Sequence, residues 1–149
     1  MGTKETLDKV ESNITSTEEM RHDPHHKFLV YGPPGAGKTH AIRTFPGKTL
    51  VGSAESGEQS IIDIDVDILT VSSVKDVRDL YIFLAKSDHD YEWLALDSVT
   101  EVAEICLSEM KDNFKDGRQA YGEMQETVIK LLRSFRSLDM NVYFSAKEQ

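Results

Sequence analysis

The sequence has one cysteine, four prolines and no long hydrophobic run, and each shortage removes a class of protein. Cys106 has no internal partner for a disulfide, and it falls among apolar residues in a helical pattern, where buried thiols are common, so a structural role in a reducing compartment is expected. No stretch of about 18 apolar residues is present to cross a bilayer. Residues 1–20 are polar and charged rather than a basic start followed by an apolar core, so no secretory signal is read there and a cytoplasmic location follows. Cations are also in short supply. The 17 Lys and Arg face 26 Asp and Glu, a formal net charge of -9, whereas a protein that coats nucleic acid with its whole surface needs clustered positive charge. A local DNA-contacting loop is still compatible with that balance.

What is there suits a single domain: 149 residues, 39% of them apolar, without internal repeats or low-complexity segments. Residues 1–26 look less committed to a core and read as a partly flexible N-terminal arm. Thr15 and Ser16 each have a glutamate three places on, Glu18 and Glu19, the reciprocal capping pattern that starts a short helix. From Lys27 the pattern tightens to Phe28-Leu29-Val30-Tyr31, closed by Gly32 and two prolines, as expected of a buried parallel strand that stops at a loop. A helix is expected from Lys38 to about Phe45, ended by Pro46-Gly47, and a second strand over Thr49–Ser53.

Residues 61–71 alternate Ile62, Ile64, Val66 and Ile68 with Asp63, Asp65 and Asp67, which predicts a strand with one wet face near a sheet edge. The spaced aspartates lack the turn glycine and closing glutamate of a calcium loop. Helical spacing follows over Val74–Ala85, with Val74, Val77, Tyr81 and Leu84 on one stripe. Trp93-Leu94-Ala95-Leu96 reads as a strand ending at Asp97-Ser98. Helices are expected over Val99–Met110 and Tyr121–Leu138, separated by the polar stretch 112–120, and a last strand over Val142–Ser145. Strands alternating with helices imply a mostly parallel α/β sheet flanked by helices on both faces, with ligands at the carboxyl ends of the strands. Gly32 onward, Glu55, Asp97 and Lys147 all follow predicted strands.

The octapeptide Gly32-Pro33-Pro34-Gly35-Ala36-Gly37-Lys38-Thr39 matches G-x-x-x-x-G-K-[ST] in full, between a strand and a helix, and is followed by His40. Glycines let the backbone wrap a phosphate and turn several N–H groups toward it, aided by the positive end of the helix that follows. Lys38 brings a mobile cation for the β and γ phosphates of ATP. Thr39 offers a hydroxyl to a magnesium ion, and Asp97 can hold a magnesium-bound water opposite it. Asp97 or Ser98 can equally cap the helix that begins near Val99. Ser98 stands where many P-loop ATPases place a catalytic glutamate, so the base must come from elsewhere; Glu55, at the exit of the second strand, is the best-placed acid, with Glu58 its local competitor. His22, Asp23, His25 and His26 lack a closed metal-ligand set and read as solvent-exposed.

The glycine loop, SAESG, LALDSVTEVAEI and DGRQAYGEM together resemble phage-encoded RecA-like nucleotide-binding proteins over roughly residues 14–149. That resemblance implies a RecA-like core over 27–149, a catalytic role for Glu55, magnesium-dependent ATP hydrolysis in the service of DNA recombination or single-strand annealing, and a homo-oligomer in the full-length protein. It implies a phage or prophage protein in a bacterial host. It also implies a DNA-contacting loop at 112–120, where Lys111, Lys115 and Arg118 are spaced four and three apart with Phe114 among them, a pairing of cations and an aromatic that suits a single strand. Two departures stand out. Lys147 replaces the glutamine that senses the γ phosphate in RecA-like enzymes, and the chain stops at Gln149, where a second DNA-contacting loop and further strands would follow, as in a truncated C-terminus. The alternatives are an AAA+ remodelling ATPase, for which GPPGAGKT is also frequent, and a nucleotide sensor with little hydrolysis. A GTPase is suggested only by Ser145-Ala146-Lys147, without an N-K-x-D motif.

Overall fold

In the computed structural model, which describes residues 2–20, 24–54 and 62–148, five parallel strands form one sheet in the order β1-β5-β4-β2-β3. They are β1 (Lys27–Gly32), β2 (Thr49–Ser53), β3 (Asp67–Thr70), β4 (Trp93–Asp97) and β5 (Asn141–Lys147). Five α-helices accompany them: α1 (Thr3–Ser12), α2 (Thr17–Met20), α3 (Val74–Lys86), α4 (Val99–Met110) and α5 (Gly117–Arg136). Every strand pairing is parallel, and each register places the strands' carboxyl ends along one edge.

Successive side chains on a strand point to opposite faces, so each central strand divides its apolar residues between two cores. Leu50, Leu94, Leu96, Val142 and Phe144 meet the inward stripes of α3, α4 and α5. Val51, Ala95 and Tyr143 face the other way, onto Ile42, Phe45, Ile64 and Val66. Helices were expected on both faces, yet the three long ones share one face. The second is covered by a five-residue 3₁₀ helix, His40–Thr44, and by residues 64–66.

That short helix replaces the α-helix expected from Lys38 to Phe45. Tyr143 Oη donates to the Lys38 carbonyl at 2.7 Å, the acceptor that an α-helical Ile42 amide would use. The Ile42 amide bonds instead to the Thr39 carbonyl, three residues back.

α3 starts at a capping box: Ser73 Oγ accepts from the Asp76 amide, and the Asp76 carboxylate accepts from the Ser73 amide, both at 3.1 Å. Its buried stripe is Val74, Val77, Leu80 and Leu84; Leu80 takes the place foreseen for Tyr81, which sits half-buried and edge-on to Phe135. Leu80 presses against Gly52 of β2, where an added Cβ would come within 2.9 Å of its Cδ2. α5 begins four residues earlier than expected, capped by Asp116, whose carboxylate accepts from the Arg118 amide at 2.9 Å. The Ser16–Glu19 capping pair forms as the sequence indicates. α1 was not foreseen, and it buries none of its residues. β3 is shorter than the alternation over 61–71 predicted; before it, Asp63 pairs with Arg43 at 2.8 Å and residues 62–64 turn.

Among the described residues β1 lies at the sheet edge and pairs only with β5. Its apolar residues are consequently open: Phe28 is 47% exposed, Leu29 61%, Val30 39% and Tyr31 71%.

Candidate functional site

Gly32 ends β1 and opens the glycine loop. Gly35 (φ 80°) and Gly37 (φ 91°) adopt backbone that a side chain would strain, and this lets the chain curl tightly before Lys38. Lys38 Nζ donates to the carbonyls of Gly32 (2.5 Å) and Pro33 (2.9 Å), so the ammonium lies within the curl it follows. The loop is tied to the sheet from below by the Tyr143 hydroxyl. Burial, and then the negative charge of Asp97, push the ionisation of Tyr143 up from its usual range, so the phenol stays a proton donor.

Asp97, 3% exposed at the end of β4, is the point of convergence. Thr39 Oγ1 donates to its Oδ2 at 2.9 Å, and Ser145 Oγ donates to its Oδ1 at 2.7 Å. The Ala54 amide donates to the Asp97 carbonyl at 2.8 Å, bringing the exit of β2 against the exit of β4. The Asp97–Ser98 peptide is cis. Ser98 then caps α4, accepting from the Glu101 amide at 3.3 Å. Both cap and carboxylate roles foreseen for this pair are thus divided, with Ser98 at the helix and Asp97 facing Thr39.

Lys147 closes β5 opposite Gly32 in register. Its amide donates to Thr100 Oγ1 at 2.8 Å, and its Nζ pairs with Glu101 Oε1 at 2.6 Å. Tyr143, Thr100 and Glu101 are not singled out by the sequence as site residues, and Ser145 is named there only within the triplet that suggests a GTPase. The one available signal was alternation along β5: Tyr143, Ser145 and Lys147 fall two apart on a strand that ends beside the loop. The Ser145-Ala146-Lys147 triplet serves the carboxyl edge of the sheet here, through Asp97 and Glu101.

Glu55, Glu58, His22 and Asp23 lie outside the described residues. His25 pairs with Asp139 at 2.9 Å and His26 stacks on Phe28, at the opposite end of the sheet from the loop. Among the described residues no three His, Cys, Asp or Glu side chains gather as a metal cluster. The stretch expected to form a DNA-contacting loop is largely helical. Lys111 sits in a 3₁₀ turn (Lys111–Asn113), Phe114 is half-buried, Lys115 is exposed, and Arg118 stands exposed on the first turn of α5 rather than in a loop. The cause is Asp116, whose carboxylate caps α5 early. Cys106 is fully buried, and burial first, then Glu109, push its thiol pKa up, away from reactivity.

A parallel sheet in the order β1-β5-β4-β2-β3, with a glycine loop leaving β1 and a buried carboxylate ending β4 beside that loop's threonine, is a P-loop fold of the RecA-like kind. Residues 25–149 match the family model described as "AAA domain", and the chain belongs to that family. Among solved structures it is similar to one titled "Crystal structure of the RadB recombinase", with a TM-score of 0.50 and 20% sequence identity over 82% of this chain and 61% of that one; at that identity the likeness is one of fold. The chain thus spans less than two thirds of that protein's length. No curated protein matches the sequence. No helix among the described residues is long and apolar enough to cross a membrane.

Proposed function

We propose that the chain binds ATP with magnesium in the Gly32–Thr39 loop and hydrolyses it, as an ATPase serving DNA recombination or single-strand annealing. The observation that carries this reading is the 2.9 Å bond between Thr39 Oγ1 and the buried Asp97 carboxylate, at the base of a loop curled through two positive-φ glycines. Two oxygens of different elements meet there, a donor set that fits magnesium, which takes one or two protein ligands and otherwise phosphate oxygens and water. Thr39 would hold the ion directly and Asp97 through water. Bound there, magnesium neutralises charge on the β and γ phosphates.

Lys38 must exchange its two loop carbonyls for phosphate oxygens, and the charge-assisted bond it would make is stronger than either bond it leaves. Ser145 holds the second Asp97 oxygen and fixes the carboxylate toward Thr39. Glu55 follows Ala54, whose amide is bonded to the Asp97 carbonyl; that proximity of the β2 exit to the magnesium side supports Glu55 as the residue that orients or deprotonates the attacking water. Lys147 is the γ-phosphate sensor in this reading. Strong turnover requires an oligomer that brings a neighbour's cation to the γ phosphate.

Nucleotide titration and phosphate release, measured for the parent, Lys38→Ala and Glu55→Gln, test the reading. Lys38→Ala should lose affinity; Glu55→Gln should keep affinity and lose turnover by about 10²-fold or more. Unchanged turnover in Glu55→Gln removes the base assignment. Ser98, in the position where a catalytic glutamate is common, favours a second reading, a sensor that binds without turning over, and the same assay separates the two. For the DNA role, Lys111, Lys115 and Arg118 are exposed on one stretch. Single-stranded DNA should stimulate phosphate release, and more weakly as salt rises; a flat response across salt counts against it.

A further inference from the structure

The Lys38 ammonium and the strand end that carries Lys147 meet at the first residue of the glycine loop. Lys38 Nζ and the Glu148 amide both donate to the Gly32 carbonyl, at 2.5 and 3.0 Å, and Lys147 stands opposite Gly32 in the β1–β5 register. Lys38 is held only by carbonyl dipoles. Lys147 instead meets a full negative charge, the Glu101 carboxylate at 2.6 Å, and its backbone is fastened to the neighbouring Thr100 hydroxyl. Thr100 and Glu101 belong to the first turn of α4, which Ser98 caps directly after Asp97. The carboxylate that engages Lys147 therefore belongs to the helical turn that directly follows Asp97 in the chain.

We propose that Glu101 determines the preference for ATP over ADP by competing with the γ phosphate for the Lys147 ammonium. This rests on the nucleotide-binding reading above and adds to it a specificity residue that acts through Lys147. Both members of the pair are about one third exposed, 34% and 33%. A pair so placed is worth little on its own, because solvent screens it and two long side chains must be held still. A γ phosphate carries more charge than one carboxylate and accepts several hydrogen bonds, so it can draw the ammonium away. ADP ends at the β phosphate, which belongs to Lys38 and the loop amides, and so offers Lys147 no comparable exchange. The strength of the Glu101 contact then sets how much of the γ phosphate's attraction appears as affinity.

The experiment compares ATP and ADP affinity, with magnesium present, by calorimetry on the full chain. The variants are Glu101→Gln, Glu101→Asp, Lys147→Met and the double Glu101→Gln/Lys147→Met. Glu101→Gln should tighten ATP about fivefold and leave ADP unchanged. Glu101→Asp, whose shorter arm withdraws the carboxylate, should move ATP in the same direction and serves if the first variant does not fold. Lys147→Met should lower the ATP:ADP preference, and adding Glu101→Gln to it should change nothing further. An unchanged ATP:ADP ratio in Glu101→Gln overturns the proposal, and so does an equal shift in the Lys147→Met background. A parent that binds neither nucleotide defeats the nucleotide-binding reading itself, a result distinct from a parent that binds both and a Glu101 variant that behaves like it.

Discussion

β4 and β1 carry nearly the same kind of sequence, Trp93-Leu94-Ala95-Leu96 and Phe28-Leu29-Val30-Tyr31, and both lead into the candidate site. β4 is buried along its whole length, between β2 and β5, with α-helices on one face and the 3₁₀ helix on the other. β1 has one neighbour and shows four apolar side chains to solvent. The difference teaches that an apolar run specifies a strand but not its rank in the sheet; rank is set by which crossovers place strands on either side. It also divides the site. Asp97 hangs from a strand flanked on both sides and the glycine loop from an edge strand.

The largest expected effect sharpens that contrast. Leu96→Ala in β4 removes a fully buried side chain and should cost about 2–5 kcal/mol of unfolding free energy, whereas Leu29→Ala in β1 should cost well under about 1 kcal/mol, both read from urea denaturation. Equal losses would mean that β1 is covered in solution. Next, Gly52→Ala forces a Cβ to within 2.9 Å of Leu80 Cδ2 and 3.2 Å of Leu96 Cδ1; overpacking at the α3–β2 contact should cost about 1–3 kcal/mol by the same measurement. Tyr143→Phe frees the Lys38 carbonyl and should cost about 1 kcal/mol, together with weaker nucleotide binding.

The same tyrosine gives a pH signature. Its folded pKa lies above the ordinary value of 10.0, so above about pH 10 the unfolded chain binds fewer protons at this residue than the folded one, and stability falls as pH rises. Tyr143→Phe should flatten that alkaline fall in thermal unfolding, and an identical slope would show that the phenol is not held neutral. The smallest effect belongs to the edge. Tyr31→Ser should leave stability within about 0.5 kcal/mol of the parent while reducing self-association at high concentration, as light scattering would report.

Much of this was legible because the signals were local. GPPGAGKT, the capping pair at Ser16, the helix cap at the start of α4, and the apolar runs of β2 and β4 depend on neighbours in sequence, and the elements formed within a residue or two of their expected bounds. What stayed hidden depended on residues far apart in the chain. The bond that ties the loop to the sheet joins the Lys38 carbonyl to Tyr143, 105 positions away. Lys147 was legible as a cation at a strand end, but its carboxylate partner Glu101, 46 positions back, was not, because only the β4–β5 pairing brings α4's first turn to it. The early start of α5 was a local miss: Asp116 caps it, and the glycine after Asp116 had been read as loop.

The single-sided attachment of β1 has a mechanical corollary. A loop slung from a beam braced along one flank can tip toward or away from a fixed post without disturbing the masonry behind it, and Asp97 is that post. Re-aiming the Gly35–Gly37 amides by a fraction of an ångström would load the β1–β5 ladder and the Tyr143 and Thr39 contacts, leaving the hydrophobic interior beneath α3, α4 and α5 at rest.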